Sequence, residues 1–419
     1  MPFRFRGMDF SFDLSQGLFS SAGVDIGTQL LLKAFSRMLD GGSQAGKPPP
    51  GRVLDAGCGV GVIGICAAAA LDRPVVRCQD RDELARLFTL RNAAKNGVSL
   101  EAFSEPLLAG DAPWDLILSN IPAKAGTPVL EDFVPRSLGL LNPGGRVAIV
   151  VVHTLAGFFR ERIALAGAEL LSEREGSGHS VFVYAPGEGQ GAAAAVEAGS
   201  GFLSRHPFYV RASARCKIEG VSVGIEAVHG ASGFDDAGSA VTVAAKLAGR
   251  IGPEGIAPDG DAPLLVHEPG QGFFPCWLLG FLRGRGAVVL SGRNILALEA
   301  ARHNVSRRVS VVPVADLRLG GVALLEATGG KKYACLAAFP ELLPQSSLPK
   351  GTDQLAALWD SVPPLLAVGG ILLVALASSD AERFDRRKPS GFTRLGGVKR
   401  GGFRALAYRL RPDAIMGQG

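Results

Sequence analysis

The segment Arg52-Val53-Leu54-Asp55-Ala56-Gly57-Cys58-Gly59-Val60-Gly61 constrains the fold more than any other part of this chain. An apolar run ends in an acid, three glycines follow at alternate positions, and Val62–Leu71 then reads as a buried helix. Glycine lets the backbone turn sharply and approach a ligand with no Cβ in the way. In open α/β sheets, ligands lie beyond the carboxyl ends of the strands, where this loop falls. A dinucleotide site would use Gly-x-Gly-x-x-Gly and offer helix N–H groups to a pyrophosphate. Here the spacing is Gly-x-Gly-x-Gly and an acid precedes it. That acid would repel phosphate and suits a cationic ligand, such as one bearing the sulfonium and ammonium of S-adenosylmethionine. Asp80, at the end of the next apolar run, can accept the ribose hydroxyls of a nucleoside. Its other reading is a helix N-cap, a role open to Asp82 as well.

Around this loop, apolar runs alternate with helical patterns. Strands are expected at Val53–Ala56, Val75–Cys78, Leu116–Ser119, Arg146–Val152 and Val181–Tyr184. Helices are expected at Val62–Leu71, Glu83–Asn96, Val129–Leu141 and Ala156–Ala166. Such alternation means a mostly parallel sheet with both faces covered. Pro186–Gly201 is small-residue-rich and without period, so it reads as a linker. The sequence beyond it echoes the first half in the same order. Gly23–Thr28 resembles Gly233–Ser239, Leu54–Gly59 resembles His267–Gly272, Leu90–Asn92 resembles Arg302–Asn304, and Leu140–Gly145 resembles Leu365–Gly370. The expected architecture is α/β, with two tandem Rossmann-like domains, the second degenerate. Their bounds are residues 1–185 and 202–412, with 186–201 between them.

The acid–glycine loop with Asp80 resembles the class I S-adenosylmethionine-dependent methyltransferases. Phe19-Ser20-Ser21-Ala22-Gly23-Val24-Asp25-Ile26-Gly27-Thr28-Gln29-Leu30-Leu31-Leu32, Val53–Gly64, Asp115–Asn120 and Gly144–Val152 narrow the match. They resemble the bacterial ribosomal-RNA guanine-N2 methyltransferases built from two homologous domains. That resemblance implies S-adenosylmethionine as cofactor, held by Asp25, Gly27, Thr28, Asp55, Gly57, Cys58, Gly59, Gly61, Asp80 and Asn120, with the Gly23–Leu32 segment covering its methionine end. It also implies Asn120 and Pro122 as catalytic residues. The Asn120 amide oxygen and the Ile121 carbonyl would accept the two N–H bonds of an acceptor amine. The chemistry is in-line attack of that nitrogen on a methyl carbon, chiefly a positioning task. The family motif Asn-Pro-Pro-Phe here reads Asn120-Ile121-Pro122-Ala123. Ala123 cannot stack on a base, and a replacement could come from Phe10, Phe12, Phe19 or Phe133. Asn120 could instead be a turn residue after its strand. His153 is a loop residue near the same edge.

In the second copy, Phe274 is expected in the place of Gly61, Gly292 in that of Asp80 and Phe339 in that of Asn120, so that copy should not bind the cofactor. Charge divides unevenly. Residues 1–190 hold 18 Lys and Arg against 20 Asp and Glu, and residues 191–419 hold 26 against 19. A polyanion would therefore bind the second half. Arg383–Arg411 is its most basic stretch, with Arg386, Arg387 and Lys388 as candidate RNA contacts and Phe392 or Phe403 as candidate base stacks. Arg302, Arg307 and Arg308 form a smaller cluster. The six cysteines form no Cys-x-x-Cys pair and no histidine stands at ligand spacing from them, so reduced thiols and no metal are expected. No apolar run approaches the ~20 residues that span a bilayer, and Met1–Arg6 lacks a leader's apolar core. A cytoplasmic enzyme is expected. Its activity would be methyl transfer to an amine nitrogen, most plausibly an exocyclic amino group in ribosomal or transfer RNA. The alternatives are a protein or small-molecule N-methyltransferase, or a non-catalytic binding protein of the same fold.

Overall fold

A computed structural model describes residues 1–18, 23–44, 48–110, 113–188, 201–231, 233, 235–258, 262–305, 311–315, 321–343 and 353–414. The chain divides into two compact units, residues 1–198 and 199–419. Most of the expected linker, with Phe19, Phe234, Arg307 and Arg308, lies outside the described residues.

The first unit opens with a hairpin, β1 (Pro2–Phe5) and β2 (Met8–Ser11), then helix α1 (Ile26–Gln44). The sheet is built by β3 (Arg52–Ala56), α2 (Val62–Ala70), β4 (Val75–Asp80), α3 (Glu83–Lys95), β5 (Glu101–Ser104) and β6 (Trp114–Asn120). It is completed by α4 (Thr127–Gly139), β7 (Leu141–Val152), α5 (Ala156–Leu165), β8 (Glu169–Gly176) and β9 (His179–Ala185). The strand order is β5-β4-β3-β6-β7-β9-β8, with β9 antiparallel to β7 and β8 antiparallel to β9. Because β3 is central, Val53 to Ala56 are all buried, as expected of a strand covered on both faces. The all-apolar α2 packs in the same core with Leu31, Leu32 and Phe35 of α1. Asp82 caps α3 by accepting the Leu84 N–H at 3.0 Å, the capping role the sequence left open between it and Asp80.

The second unit begins with α6 (Phe202–Arg205), β10 (Val210–Ile218) and β11 (Val221–Val228), followed by α7 (Gly238–Ile251) and α8 (Pro253–Ile256). Its sheet comes from β12 (Leu264–His267), α9 (Phe273–Phe281), β13 (Val288–Gly292), α10 (Ile295–Val305), β14 (Val311–Ala315) and α11 (Gly321–Ala327). Then follow β15 (Tyr333–Ala338), α12 (Gln354–Ser361), β16 (Leu366–Ala377), α13 (Ser378–Arg386), β17 (Phe392–Arg400) and β18 (Phe403–Leu410). The order β14-β13-β12-β15-β16-β18-β17 repeats that of the first unit strand for strand. The two largely parallel sheets make the chain a tandem pair of Rossmann-like domains.

One side chain shows the repeat at atomic level. Buried Asn92 accepts the Asp13 N–H at 2.8 Å and donates to the carbonyls of Asp13 and Val60. Asn304 accepts the Glu226 N–H at 2.8 Å and donates to the carbonyls of Glu226 and Gln271. Each asparagine fastens its unit's first hairpin, at Glu226 within β11 or at Asp13 just past β2, to the loop that follows the central strand.

Candidate functional site

The glycine loop leaves the carboxyl end of β3. Gly57, Gly59 and Gly61 all have positive φ, +81°, +55° and +87°, which only glycine adopts without cost. Their surroundings differ. A Cβ on Gly61 would lie 2.9 Å from the Thr89 methyl, and one on Gly57 would lie 3.3 Å from Leu107. A Cβ on Gly59 would meet nothing within 4 Å. Gly61 is therefore needed for packing against α3, while Gly59 borders open space. The Cys58 thiol lies 3.4 Å from Thr89 Oγ1 and its N–H donates to the Gln79 carbonyl, so both are used inside the protein.

Two acids stand beside this loop. Asp80 accepts the Gly59 N–H at 3.1 Å and the Asp82 N–H at 3.0 Å, which fixes its carboxylate at the end of β4. Burial raises its pKa. Asp55 is fully buried and accepts the Gly64 N–H at 2.8 Å through Oδ2. Its Oδ1 has no partner among the described residues. Burial pushes Asp55 up to about 7, with a smaller contribution from the charge of Asp80.

Asn120, the last residue of β6, donates from Nδ2 to Asp25 Oδ2 at 2.9 Å and to Thr28 Oγ1 at 3.0 Å. A carboxylate can only accept, so the NH2 end must face Asp25 and Oδ1 faces away. No partner of Oδ1 occurs among the described residues. These bonds span about 90 residues of sequence, unlike the local bond of a turn residue. Asp25 also accepts the Thr28 N–H at the start of α1. Ile121 is buried and Pro122 is exposed on the following loop.

His179, which the sequence reading missed, begins β9, and a Cβ on Gly27 would lie 2.9 Å from its ring. His153 Nδ1 lies 3.3 Å from Ser180 Oγ beside it. Of the aromatic substitutes suggested by sequence, Phe10, Phe12 and Phe133 are core residues and unavailable, and Phe19 lies outside the described residues.

The second unit corrects one alignment. Gly272, at φ +103°, precedes α9 as Gly61 precedes α2, and Gly270 shares the φ of Gly59, +55°. Phe274 therefore corresponds to Ile63, not Gly61. It sits in the core with its ring 4.9 Å from that of Phe339. The strand registers place Val266 at the position of Asp55, Gly292 at that of Asp80 and Phe339 just past β15 at that of Asn120. Asp236-Ala237-Gly238-Ser239 repeats the spacing of Asp25-Ile26-Gly27-Thr28, and Asp236 accepts the Gly238 N–H at 2.9 Å, so an acid is kept before α7. Glu268, at φ +52°, takes the place of Gly57. Its carboxylate accepts the Arg293 N–H at 2.9 Å and occupies the space that an Asp80-like side chain on Gly292 would need.

The basic stretch is largely engaged. Arg383, Arg387, Arg394, Arg404 and Arg411 each have a carboxylate within 4 Å. Lys388 donates to the Phe392 carbonyl at 2.7 Å. Of the three candidate RNA contacts, Arg386 alone is without such a partner among the described residues. Phe392 is buried and cannot receive a base, whereas Phe403 is 37% exposed.

Residues 9–165 match the family model described as methyltransferase small domain. The uncharacterized protein YbxB of Bacillus subtilis is 30% identical over 154 residues, covering 36% of this chain and 72% of that protein. The chain belongs to the methyltransferase small-domain family. Its members are class I methyltransferases, and their methyl donor, S-adenosylmethionine, is the cofactor here. A ribosomal protein L11 methyltransferase of Rhodopseudomonas palustris is 35% identical over 28% of this chain and 45% of its own length. A ribosomal RNA small subunit methyltransferase C of Actinobacillus pleuropneumoniae is 30% identical over 35% of this chain and 44% of its own. The match thus spans under half the length of these two relatives. The structure of the T. thermophilus 16S rRNA N2 methyltransferase RsmC covers 98% of both chains with a TM-score of 0.61 and 17% identity, which shows a shared tandem fold.

The first unit fits a cationic nucleoside. Gly59 borders open space where a ligand can approach the backbone, Asp80 is a fixed carboxylate beside it, and the orphaned Asp55 Oδ1 is a buried acceptor that gains from positive charge nearby. Among the described residues no helix is long and apolar enough to cross a membrane.

Proposed function

We propose that the first unit of this methyltransferase transfers a methyl group to an exocyclic amine nitrogen of a base in ribosomal or transfer RNA. The observation that carries this reading is the fixed Asn120 amide, with its NH2 held by Asp25 and Thr28 and its Oδ1 left to accept. Asp80 would hold the ribose of S-adenosylmethionine, Gly57 and Gly59 would admit it closely, and Asp55 would balance its charge. The bound cofactor supplies an electrophilic methyl group on a sulfonium. Asn120 Oδ1 and the Ile121 carbonyl would take the two N–H bonds of the acceptor, turning its lone pair toward the methyl carbon. Such alignment is the main resource of an enzyme that needs no proton abstracted before attack. Pro122 would set the direction of the loop bearing those acceptors. The names of the RNA-methylating relatives support an RNA acceptor, as does the cationic second unit. Ala123, which offers no stacking surface, and the likeness to an L11 methyltransferase favour a second reading, a protein amine as acceptor.

The test is transfer of labelled methyl groups into an extract of cells lacking this protein, followed by nuclease or protease digestion. Label released by nuclease supports the base-methylating reading, and label released only by protease overturns it. Asn120→Ala should lower turnover roughly a hundredfold, the scale of a misplaced reactant, and S-adenosylmethionine affinity by a smaller factor, through the released Asp25 and Thr28. A fully active variant would return Asn120 to the status of a turn residue.

A further inference from the structure

The last two strands of each unit meet in a tight turn at the carboxyl edge of the sheet, and the two turns have opposite character. In the first unit β8 and β9 carry Glu169, Glu173 and Glu175 against Arg174. In the second, β17 and β18 carry Arg394, Lys399, Arg400, Arg404 and Arg409 and no acid. The turn itself reads Lys399-Arg400-Gly401-Gly402-Phe403-Arg404, with Gly401 at φ +56° and Gly402 at +80°. Two such residues make the hairpin turn whose twist matches the strands, so the loop is short and held in shape. Lys399 through Phe403 are all exposed. Arg394 and Arg404 are ion-paired, but Lys399 and Arg400 have no such partner among the described residues.

Register decides what this turn displays. Arg400 stands opposite Phe403 and Lys399 opposite Arg404. Cross-strand partners share a face, so one face presents a guanidinium beside a phenyl ring and the other presents two cations. The face bearing Arg400 and Phe403 also carries Val398 and Ala405, which pack in the core with α7. The Phe403 ring therefore marks the place where that core layer emerges into solvent. A base stacks on such a ring without regard to its identity, and cations on both sides neutralise the adjoining phosphates.

We propose that this turn is a contact site for single-stranded RNA, with Phe403 under an unpaired base and Lys399 and Arg400 on the phosphates. It rests on the reading of the acceptor as RNA. A fluorescent single-stranded oligoribonucleotide would be titrated with the full chain, with S-adenosylmethionine present, at two salt concentrations. Phe403→Leu, which keeps bulk but not the π face, should weaken binding about 5- to 150-fold, and Phe403→Trp should retain it. The double variant Lys399→Gln/Arg400→Gln should lower the salt slope by up to about 1.4, at about 0.7 per single-strand phosphate contact. S-Adenosylmethionine affinity should be unaltered in every variant, since all retain the first unit. Tight RNA binding by the unmodified chain with unchanged slope in the Gln variant would overturn this surface and leave the RNA reading intact. Absence of salt-dependent RNA binding by the unmodified chain would overturn both. If Phe403→Leu perturbs folding, the Gln variant at the exposed turn decides.

Discussion

At matched positions of the two sheets, Asp55, Asp80 and Asn120 of the first unit stand against Val266, Gly292 and Phe339 of the second. Strand order, the positive-φ glycines before α2 and α9, and the asparagine fastener are kept in both. The residues that specify the fold and those that would hold a ligand are thus separable. A sheet of this kind needs its apolar strands and its sharp loop, but none of these three polar groups. Val266 and Phe339 put apolar atoms in two of those places, and the Glu268 carboxylate fills the third. His267, buried and bonded to Ser291 Oγ at 2.9 Å, is pushed down to about 4 by burial and stays uncharged.

The strongest challenge to that division is to remove what the units share. Asn92→Ala should destabilise the first unit by about 2–4 kcal/mol, since three hydrogen bonds are lost and buried backbone groups are left unpaired. Asn304→Ala should cost the second a comparable amount. Hydrogen exchange at the glycine loops resolves the two, and a costless Asn304→Ala would mean that the second unit no longer depends on the shared fastener. The next effect concerns what only one unit retains. Asp80→Ala should weaken S-adenosylmethionine binding by about 1–3 kcal/mol, the scale of lost charge-assisted hydrogen bonds. Calorimetry showing undiminished binding would remove Asp80 from the site.

The smallest effect separates Asp55 from Val266. An acid whose folded pKa is raised from 3.8 to about 7 favours the unliganded fold below its unfolded value, and that advantage is lost as pH rises toward about 7. Asp55→Asn should therefore raise the melting temperature of the unliganded protein at pH 8 relative to pH 5. A cationic ligand favours the ionised form, so cofactor affinity should fall as pH drops through about 7, by up to about tenfold per unit, and this dependence should vanish in Asp55→Asn. Equal pH profiles for the two proteins would show that Asp55 does not sense the ligand's charge.

The parts of this architecture legible in sequence are those that repeat a local rule. Buried parallel strands read as apolar runs, and the acid–glycine loop fixed the carboxyl edge and hence the neighbourhood of Asp80 and Asn120. Four elements of the first unit were not foreseen. The β1–β2 hairpin is only four residues a side, β5 is equally short, and β8 alternates Glu and Arg where an apolar face would be the cue. Helix α1 was read only as a ligand-covering segment. The second glycine loop was aligned two residues out because Gly-x-Gly fits two registers of Gly-x-Gly-x-Gly, and only the start of the helix distinguishes them. His179 lies far from the other site residues in sequence. Its signal, a Gly followed by a ring at the last hairpin, becomes visible when Gly178-His179 is set beside Gly402-Phe403.

Glu268 limits what single substitutions can do in the second unit. Its side chain fills the volume that an acid at position 292 would need, and a Cβ added at Gly292 would lie 3.1 Å from its carboxylate. An aspartate placed there alone would put two negative charges in one small space, with Val266 and Phe339 offering nothing to a ligand in exchange. Any such change would have to begin at Glu268, at a backbone angle that glycine tolerates better. Glu268 thus works as a molecular ratchet, leaving the second unit freer to acquire a new task than to gain the ligand contacts of the first.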